Sequence, residues 1–205
     1  MKKLNWLLFP VLILLLSGCA TLNKNECATA DWEMIGFEDG RMGAATGRLQ
    51  RHRESCAKHG IAPDFTQYQQ GYDKGVVGFC TRRNGFERAK SGYQYPGICP
   101  IGVEPDFLAG YNPGHQIYVF KQEIIEIDRQ IKANALAQEQ ANADILAIKT
   151  EMIGGTTPVR LNELLILLEN SLTLIADLEA EALQFQIDRA EAVGAATQIE
   201  RSFVY

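Results

Sequence analysis

Gly36-Phe37-Glu38-Asp39-Gly40 is echoed downstream by Gly71-Tyr72-Asp73-Lys74-Gly75 and by Gly110-Tyr111-Asn112-Pro113-Gly114. The shared pattern is glycine, aromatic, two residues, glycine, at offsets of 35 and 39. On a helix, residues four apart share a face, so paired glycines leave that face bare and admit a second backbone. Each glycine costs a helix roughly 1 kcal/mol against alanine, which packing must offset. Neighbouring aromatics can fill the space between helices. The pattern predicts a small head of closely packed helices, too irregular in spacing for a solenoid. A sharper alternative is a ligand groove lined by Trp32, Tyr72, Tyr95 and Tyr111.

The residues around these motifs support a helical head over 31–116. Asp31 can cap a first helix carrying Trp32, Ile35 and Phe37. Arg48 to His59 reads as a charged, solvated helix that Gly60 stops. Asp64 opens a third helix, whose Phe65, Tyr68, Tyr72, Val76 and Phe79 fall at spacings of three and four. Thr81 to Gly92 reads as turn-rich, with Asn84-Gly85 at its centre. Strand signals are weak throughout.

Ahead of the head lies an export signature. Lys2 and Lys3 precede an apolar run from Trp6 to Leu16, too short for a transmembrane helix, which needs about 20 residues. Leu16-Ser17-Gly18-Cys19 resembles a lipobox, the processing site of bacterial lipoproteins. That resemblance implies a signal peptide over 1–18, acylation of Cys19 and a lipid-anchored linker over 19–30. Each buried methylene adds roughly 0.8 kcal/mol of membrane affinity, so several acyl chains anchor firmly. Position 20 is alanine rather than aspartate, and by resemblance to enterobacterial sorting this implies an outer-membrane address facing the periplasm.

Cys27, Cys56, Cys80 and Cys99 remain after Cys19. An even count in an exported chain reads as two disulfides. Of the three pairings, Cys27–Cys56 with Cys80–Cys99 is favoured because each closes a short local loop, stabilising by about 3–4 kcal/mol in the chain-entropy model. A rival reading places a metal on His52, Cys56 and His59, which share helical spacing. It needs a fourth ligand and reduced thiols, which an oxidising compartment opposes. No metal or other cofactor is expected.

Composition changes at residue 116. From Cys19 on, every cysteine and histidine and 14 of 17 glycines lie before it. Residues 19–116 hold 11 basic and 11 acidic side chains, whereas 117–205 hold 7 and 14. The absence of a basic stripe argues against nucleic-acid binding. From Ile117 the apolar residues adopt a heptad rhythm: Ile117, Phe120, Ile124, Ile127, Ile131, then Asn134, Gln138 and Ala141, then Ile145, Ile148 and Met152. Gly154-Gly155 ends this helix, and Thr157 caps the next, with Pro158 in its first turn. A second seam runs through Leu161, Leu164, Leu168, Ile175, Leu178, Ala182 and Phe185. Two seams joined by a short loop predict an antiparallel helical, coiled-coil hairpin over 117–193, leaving a tail over 194–205. Leu165, Ile166, Leu167 and Leu172 exceed what a two-helix contact needs. They suit cover for the head, a broadened hairpin contact, self-association or an envelope protein partner.

Asp31-Trp32, Ile35-Gly36, Asp39-Gly40, Pro63-Asp64, Phe79-Cys80-Thr81, Asn84-Gly85-Phe86, Cys99-Pro100 and Gly110-Tyr111 together resemble domain of unknown function family 2799, a group of bacterial lipoproteins. The resemblance spans roughly 27–120. It departs at Ala89, where glycine is usual, and implies an exported, disulfide-bearing lipoprotein without supplying an activity. No nucleophile elbow, phosphate loop or paired zinc motif is present. His52, Asp64 and Glu54 share only residue type with a catalytic cluster, and His115 reads as a surface residue where the long helix begins. Two functions follow as expectations. One is a non-enzymatic envelope lipoprotein that is structural or docks a partner. The other is a head that binds or hydrolyses cell-wall glycan.

Overall fold

The computed structural model describes residues 22–45 and 47–203. Cys19 and the signal segment lie outside them. Seven helices form among the described residues: α1 (Lys24–Ala28), α2 (Trp32–Arg41), α3 (Gly47–Ala57), α4 (Phe65–Phe79), α5 (Arg82–Lys90), α6 (Glu104–Ile153) and α7 (Pro158–Ser202). The chain divides into two compact units. Of the described residues, one unit holds those up to Thr81 together with Pro96–Glu104, and the other holds Arg82–Tyr95 together with those from Pro105 onward.

In the first unit, Asp31 and Asp64 cap α2 and α4 by accepting from the amides of Met34 and Gln67. The two helices cross on their glycines. A Cβ built on Gly36 would collide with the Tyr68 carbonyl, and one on Gly71 with the Glu33 carbonyl. Gly40 stands in the same relation to Tyr72, and Gly75 to Phe37. Each carbonyl belongs to the residue three before the facing glycine, so the crossing is reciprocal. Cys27 is bonded to Cys56 and Cys80 to Cys99, with Cα separations of 5.6 and 5.7 Å. This is the pairing the short loops favour. The first bond, with the Ser55 hydroxyl donating to the Leu22 carbonyl at 3.1 Å, holds the segment from Leu22 through α1 on α3.

The second unit repeats the crossing with α5 and the start of α6. A Cβ on Gly85 would strike the Phe107 carbonyl, one on Gly110 the Arg82 carbonyl and one on Gly114 the Phe86 carbonyl. The fourth position is Ala89, which is wholly buried. The details recur as well. Gly43 (φ 72°) and Gly92 (φ 87°) each follow the last small residue of their helix by three and need the left-handed conformation. A Cβ on them would meet the rings of Phe79 and Tyr118, which follow Gly75 and Gly114 by four. The Tyr72 hydroxyl donates to the Ala44 carbonyl at 2.7 Å, as Tyr111 does to that of Tyr93 at 3.0 Å. The same helix pair is thus built twice along the chain.

Two sequence expectations change here. The stretch Thr81–Gly92 is not a turn region: Asn84-Gly85 lies inside α5, because Gly85 is used for close approach rather than for a positive φ. Asp106 caps α5 from α6 by accepting from the Arg82 amide at 3.1 Å. The long helix begins at Glu104, not near His115, and carries Pro113 within it. The proline costs one helical hydrogen bond, to the Ala109 carbonyl, and Ala109 is exposed to water.

Beyond the crossing, α6 and α7 form the hairpin. Every position of the α6 seam from Ile117 to Met152 is buried or half-buried, including Asn134, Gln138 and Ala141. Asn134 Nδ2 donates to the Leu178 carbonyl at 3.0 Å and to Glu181 at 2.9 Å, so the polar stretch is satisfied across the seam. At the tip, Gly155 takes φ 85°, and the Thr157 side chain accepts from the Arg160 amide at 3.3 Å. Residues 194–203, set apart in the sequence as a tail, continue α7 to Ser202. There Lys90 pairs with Glu200 at 2.7 Å and Phe203 stacks on Phe86 at 3.8 Å. None of the described helices is long and apolar enough to cross a membrane.

Candidate functional site

Glycines that bring α2 and α4 together also place Asp39, one residue before Gly40, inside the first unit, where it is only 3% exposed. A buried carboxylate must be paired, because an unpaired charge away from water is costly. Three side chains meet it. His52 Nε2 lies 2.8 Å from Oδ2. The Tyr68 hydroxyl donates to the same oxygen at 2.9 Å, and Arg48 Nε donates to Oδ1 at 3.3 Å. Helices α2, α3 and α4 each contribute to the cluster. The Trp32 ring meets the His52 ring edge-on at 6.3 Å, and the His52 and Tyr68 centroids lie 6.1 Å apart.

Burial pushes the Asp39 carboxyl up, but the hydrogen bonds from His52 and Tyr68 and the charges of His52 and Arg48 outweigh it, so it sits below the ordinary carboxylate value. Burial, then the hydrogen bond to Asp39, drives the Tyr68 phenol well above its usual range. The cluster therefore holds an ionised Asp39 with Tyr68 protonated. Chemically it offers a buried anion and an oriented imidazole, and it binds α3 to the crossing.

The residues singled out in the sequence fall as follows. Trp32 and Tyr72 are buried in the first unit, so their rings are occupied by the fold rather than presented as a platform. Tyr95 and Tyr111 are half-buried in the second unit, 5.9 Å apart, with the Tyr95 amide donating to the Tyr111 hydroxyl at 3.3 Å. Cys56 is bonded to Cys27, and His59 is exposed. No group of three or more metal-ligating side chains forms among the described residues. His52 meets Asp39 instead of Asp64 or Glu54; Asp64 caps α4, and Glu54 accepts from Gln50 at 2.8 Å. His115 is exposed between Tyr111 and Tyr118. Sequence reasoning missed Asp39 as the residue that gathers Arg48, His52 and Tyr68. The available signal was a carboxylate three residues after Gly36, on the turn that the glycines bury.

The second helix pair provides an internal comparison. Asp39 follows Gly36 by three, as Arg88 follows Gly85. Tyr68 precedes Gly71 by three, as Phe107 precedes Gly110. His52 precedes Cys56 by four, as Tyr95 precedes Cys99. Tyr95 packs on Phe107 at 4.7 Å, much as His52 meets Tyr68. The ring contact of Tyr95 with Phe107 stands where the first pair has that of His52 with Tyr68, and Arg88 stands where it has Asp39.

Residues 31–116 match the model of a family described as Protein of unknown function (DUF2799). No curated protein and no solved structure matches the chain.

Proposed function

We propose that this chain, which belongs to the DUF2799 family through residues 31–116, is a lipid-anchored, non-enzymatic protein of the bacterial cell envelope whose helical hairpin docks a protein partner. The observation that carries the reading is the continuity of α6. One helix supplies Gly110 and Gly114 to the α5 crossing and then the whole first seam of the hairpin. The domain and the hairpin therefore share a backbone, and a load or a bound partner on the hairpin acts directly on the crossing. The anchor follows from Leu16-Ser17-Gly18-Cys19, and an oxidising compartment suits both disulfides. Docking is supported by Leu165, Ile166 and Leu172, each about half exposed on α7.

Two measurements test this. Metabolic labelling with a fatty-acid analogue marks the wild type, whereas Cys19→Ala is unlabelled and leaves the membrane fraction. Crosslinking in intact cells yields an adduct through the hairpin that disappears when Leu165, Ile166 and Leu172 are replaced by glutamine. An adduct that persists unchanged in that variant rules out docking through this face.

A further inference from the structure

Of the apolar residues that spacing aligns on α4, one is left outside the fold. Tyr68, Tyr72, Val76 and Phe79 are at most 8% exposed, whereas Phe65 is 63% exposed. Phe65 lines a shallow groove with Ala62 and Pro63 of the preceding loop and with Leu49, Gln50 and Arg53 of α3. Arg53 is the only charged side chain in that lining. Helix α3 also concentrates the positive charge of the first unit. Residues 47–59 hold four basic side chains and one acidic, against two and five in 22–45. Arg48 is engaged by Asp39. Arg51, Arg53 and Lys58 are exposed and make no ion pair among the described residues. At 3.6 residues per turn, Arg51 and Lys58 fall on one edge of the exposed face and Arg53 on the other, with Gln50, Glu54 and Ala57 between. Glu54, the one carboxylate there, accepts from Gln50 at 2.8 Å. Basic side chains at the edges of such a face suit a headgroup layer, where their stems lie along the surface and their charged ends reach phosphate.

The chain entering α1 identifies what covers this face. The Leu22 carbonyl accepts from the Ser55 hydroxyl, and Cys27 is bonded to Cys56, so the entering segment is fixed to α3 at two points. Cys19 lies three residues before Leu22, a reach of about 10 Å when fully extended. A lipid on Cys19 therefore holds the bilayer surface within about that distance of Leu22. Arg51, Arg53 and Lys58 all lie within about one turn of Ser55, which binds Leu22. At physiological ionic strength the screening length is about 8 Å, so anionic headgroups at that separation attract these cations.

We propose that the exposed face of α3, with Phe65 at the start of α4, lies on the anionic headgroups of the bilayer that anchors the chain. This rests on the lipid-anchored reading above and adds the surface of contact. The acyl chains supply the attachment. Arg51, Arg53 and Lys58 meet phosphate, and Phe65 enters the boundary between headgroups and acyl chains. The contact fixes which way the first unit faces, which a tether alone leaves free.

The full chain, extracted in detergent and reconstituted into vesicles, tests the proposal. Flotation reports the anchor. Phe65→Trp reports the face through quenching by lipids brominated on their acyl chains, read against the wild type, whose Trp32 is buried. In vesicles containing phosphatidylglycerol that variant is expected to be quenched. Adding Arg51→Gln/Arg53→Gln/Lys58→Gln leaves flotation intact but lowers the ratio of docked to undocked protein roughly fivefold per cation, about a hundredfold in all. Vesicles of phosphatidylcholine alone, or salt near 1 M with its screening length of about 3 Å, have the same effect. If the chain does not float, the anchor falls and this contact with it. If it floats while Phe65→Trp stays unquenched, or is quenched regardless of headgroup charge, the anchor stands and the proposal is overturned. A photo-crosslinker at Phe65 in intact cells separates the bilayer from a protein. Adducts to phospholipid support the contact, and an adduct only to a protein overturns it.

Discussion

Gly71→Ala and Gly78→Ala add the same methyl group to the same helix, seven residues apart. A Cβ at Gly78 meets nothing within 4 Å, whereas one at Gly71 lands on the Glu33 carbonyl of α2. At Gly78 the change acts through helix propensity alone and stabilises by up to about 1 kcal/mol. At Gly71 the same gain is opposed by overpacking, which costs typically about 1–3 kcal/mol where side chains can give way. The obstructing atoms are backbone, with the Glu33 carbonyl carbon 2.7 Å and the Phe37 amide nitrogen 2.9 Å away, so whole helices must separate and the cost lies at or above the upper end. A net loss of about 2 kcal/mol at Gly71 leaves the two variants about 3 kcal/mol apart, roughly a hundredfold in the unfolding equilibrium. Urea unfolding with disulfides intact measures this. Trp32 fluorescence is a local probe of the first unit, since the ring is buried against His52. Gly40→Ala should cost less than Gly71→Ala, because Ala89 occupies the equivalent position of the second crossing. If Gly71→Ala is as stable as Gly78→Ala, the glycines do not set the distance between α2 and α4.

The Asp39 carboxyl is depressed in the fold from a value of 3.8, so its contribution to stability is present above that pH and is lost as pH falls through the folded value. Asp39→Asn should flatten the acid limb of stability below about pH 4, and an unchanged limb would count against the pairing. Tyr68 is shifted the opposite way: the fold keeps its proton, so stability falls as pH rises past 10.0, the unperturbed value. Tyr68→Phe should remove that alkaline loss, read by the same fluorescence. Asn134→Leu replaces a buried polar group in the seam and should raise hairpin stability by about 1–2 kcal/mol while loosening its register. Circular dichroism melts and doubled amide resonances around Leu178 report the two effects, and a lowered melting midpoint would refute the first.

What was legible in the sequence was local. The α6 seam could be read through its polar middle because period, not polarity, places Asn134, Gln138 and Ala141 on the buried face. Thr157-Pro158 after two glycines marked the start of α7 because capping needs only neighbouring residues. The disulfides were legible because loops of 29 and 19 residues close more readily than those of the crossed or the nested alternative. Helix α5 was not legible, because Asn84-Gly85 is also a strong turn signal and Ala89 breaks the glycine pattern that would have named it. The Asp39 cluster joins residues 13 and 29 positions apart. No periodicity encodes such a meeting, which exists only once α2 and α4 have crossed.

The duplicated helix pair indicates what that cluster does for the fold. Both crossings use small residues in the same reciprocal relation, and both end in a glycine of positive φ followed by a carbonyl that accepts from a tyrosine hydroxyl. Because the second crossing forms with Arg88, Tyr95 and Phe107 at the equivalent positions, Asp39, His52 and Tyr68 are not needed for a crossing as such. What the first pair has in addition is α3, inserted between α2 and α4, where the second pair has a short irregular connection from Ser91 to Val103. Arg48 and His52 belong to α3, and both reach Asp39. Buried polar contacts suit that task, because a helix as charged as α3 offers little apolar surface and needs directional partners to hold one seat. Tyr68→Phe, which installs the side chain that Phe107 supplies at the equivalent place, should therefore preserve the α2/α4 crossing while loosening α3. Hydrogen exchange would then rise in Arg48–Cys56 and stay low in α2 and α4. Equal loosening of all three helices would make the cluster part of the crossing itself.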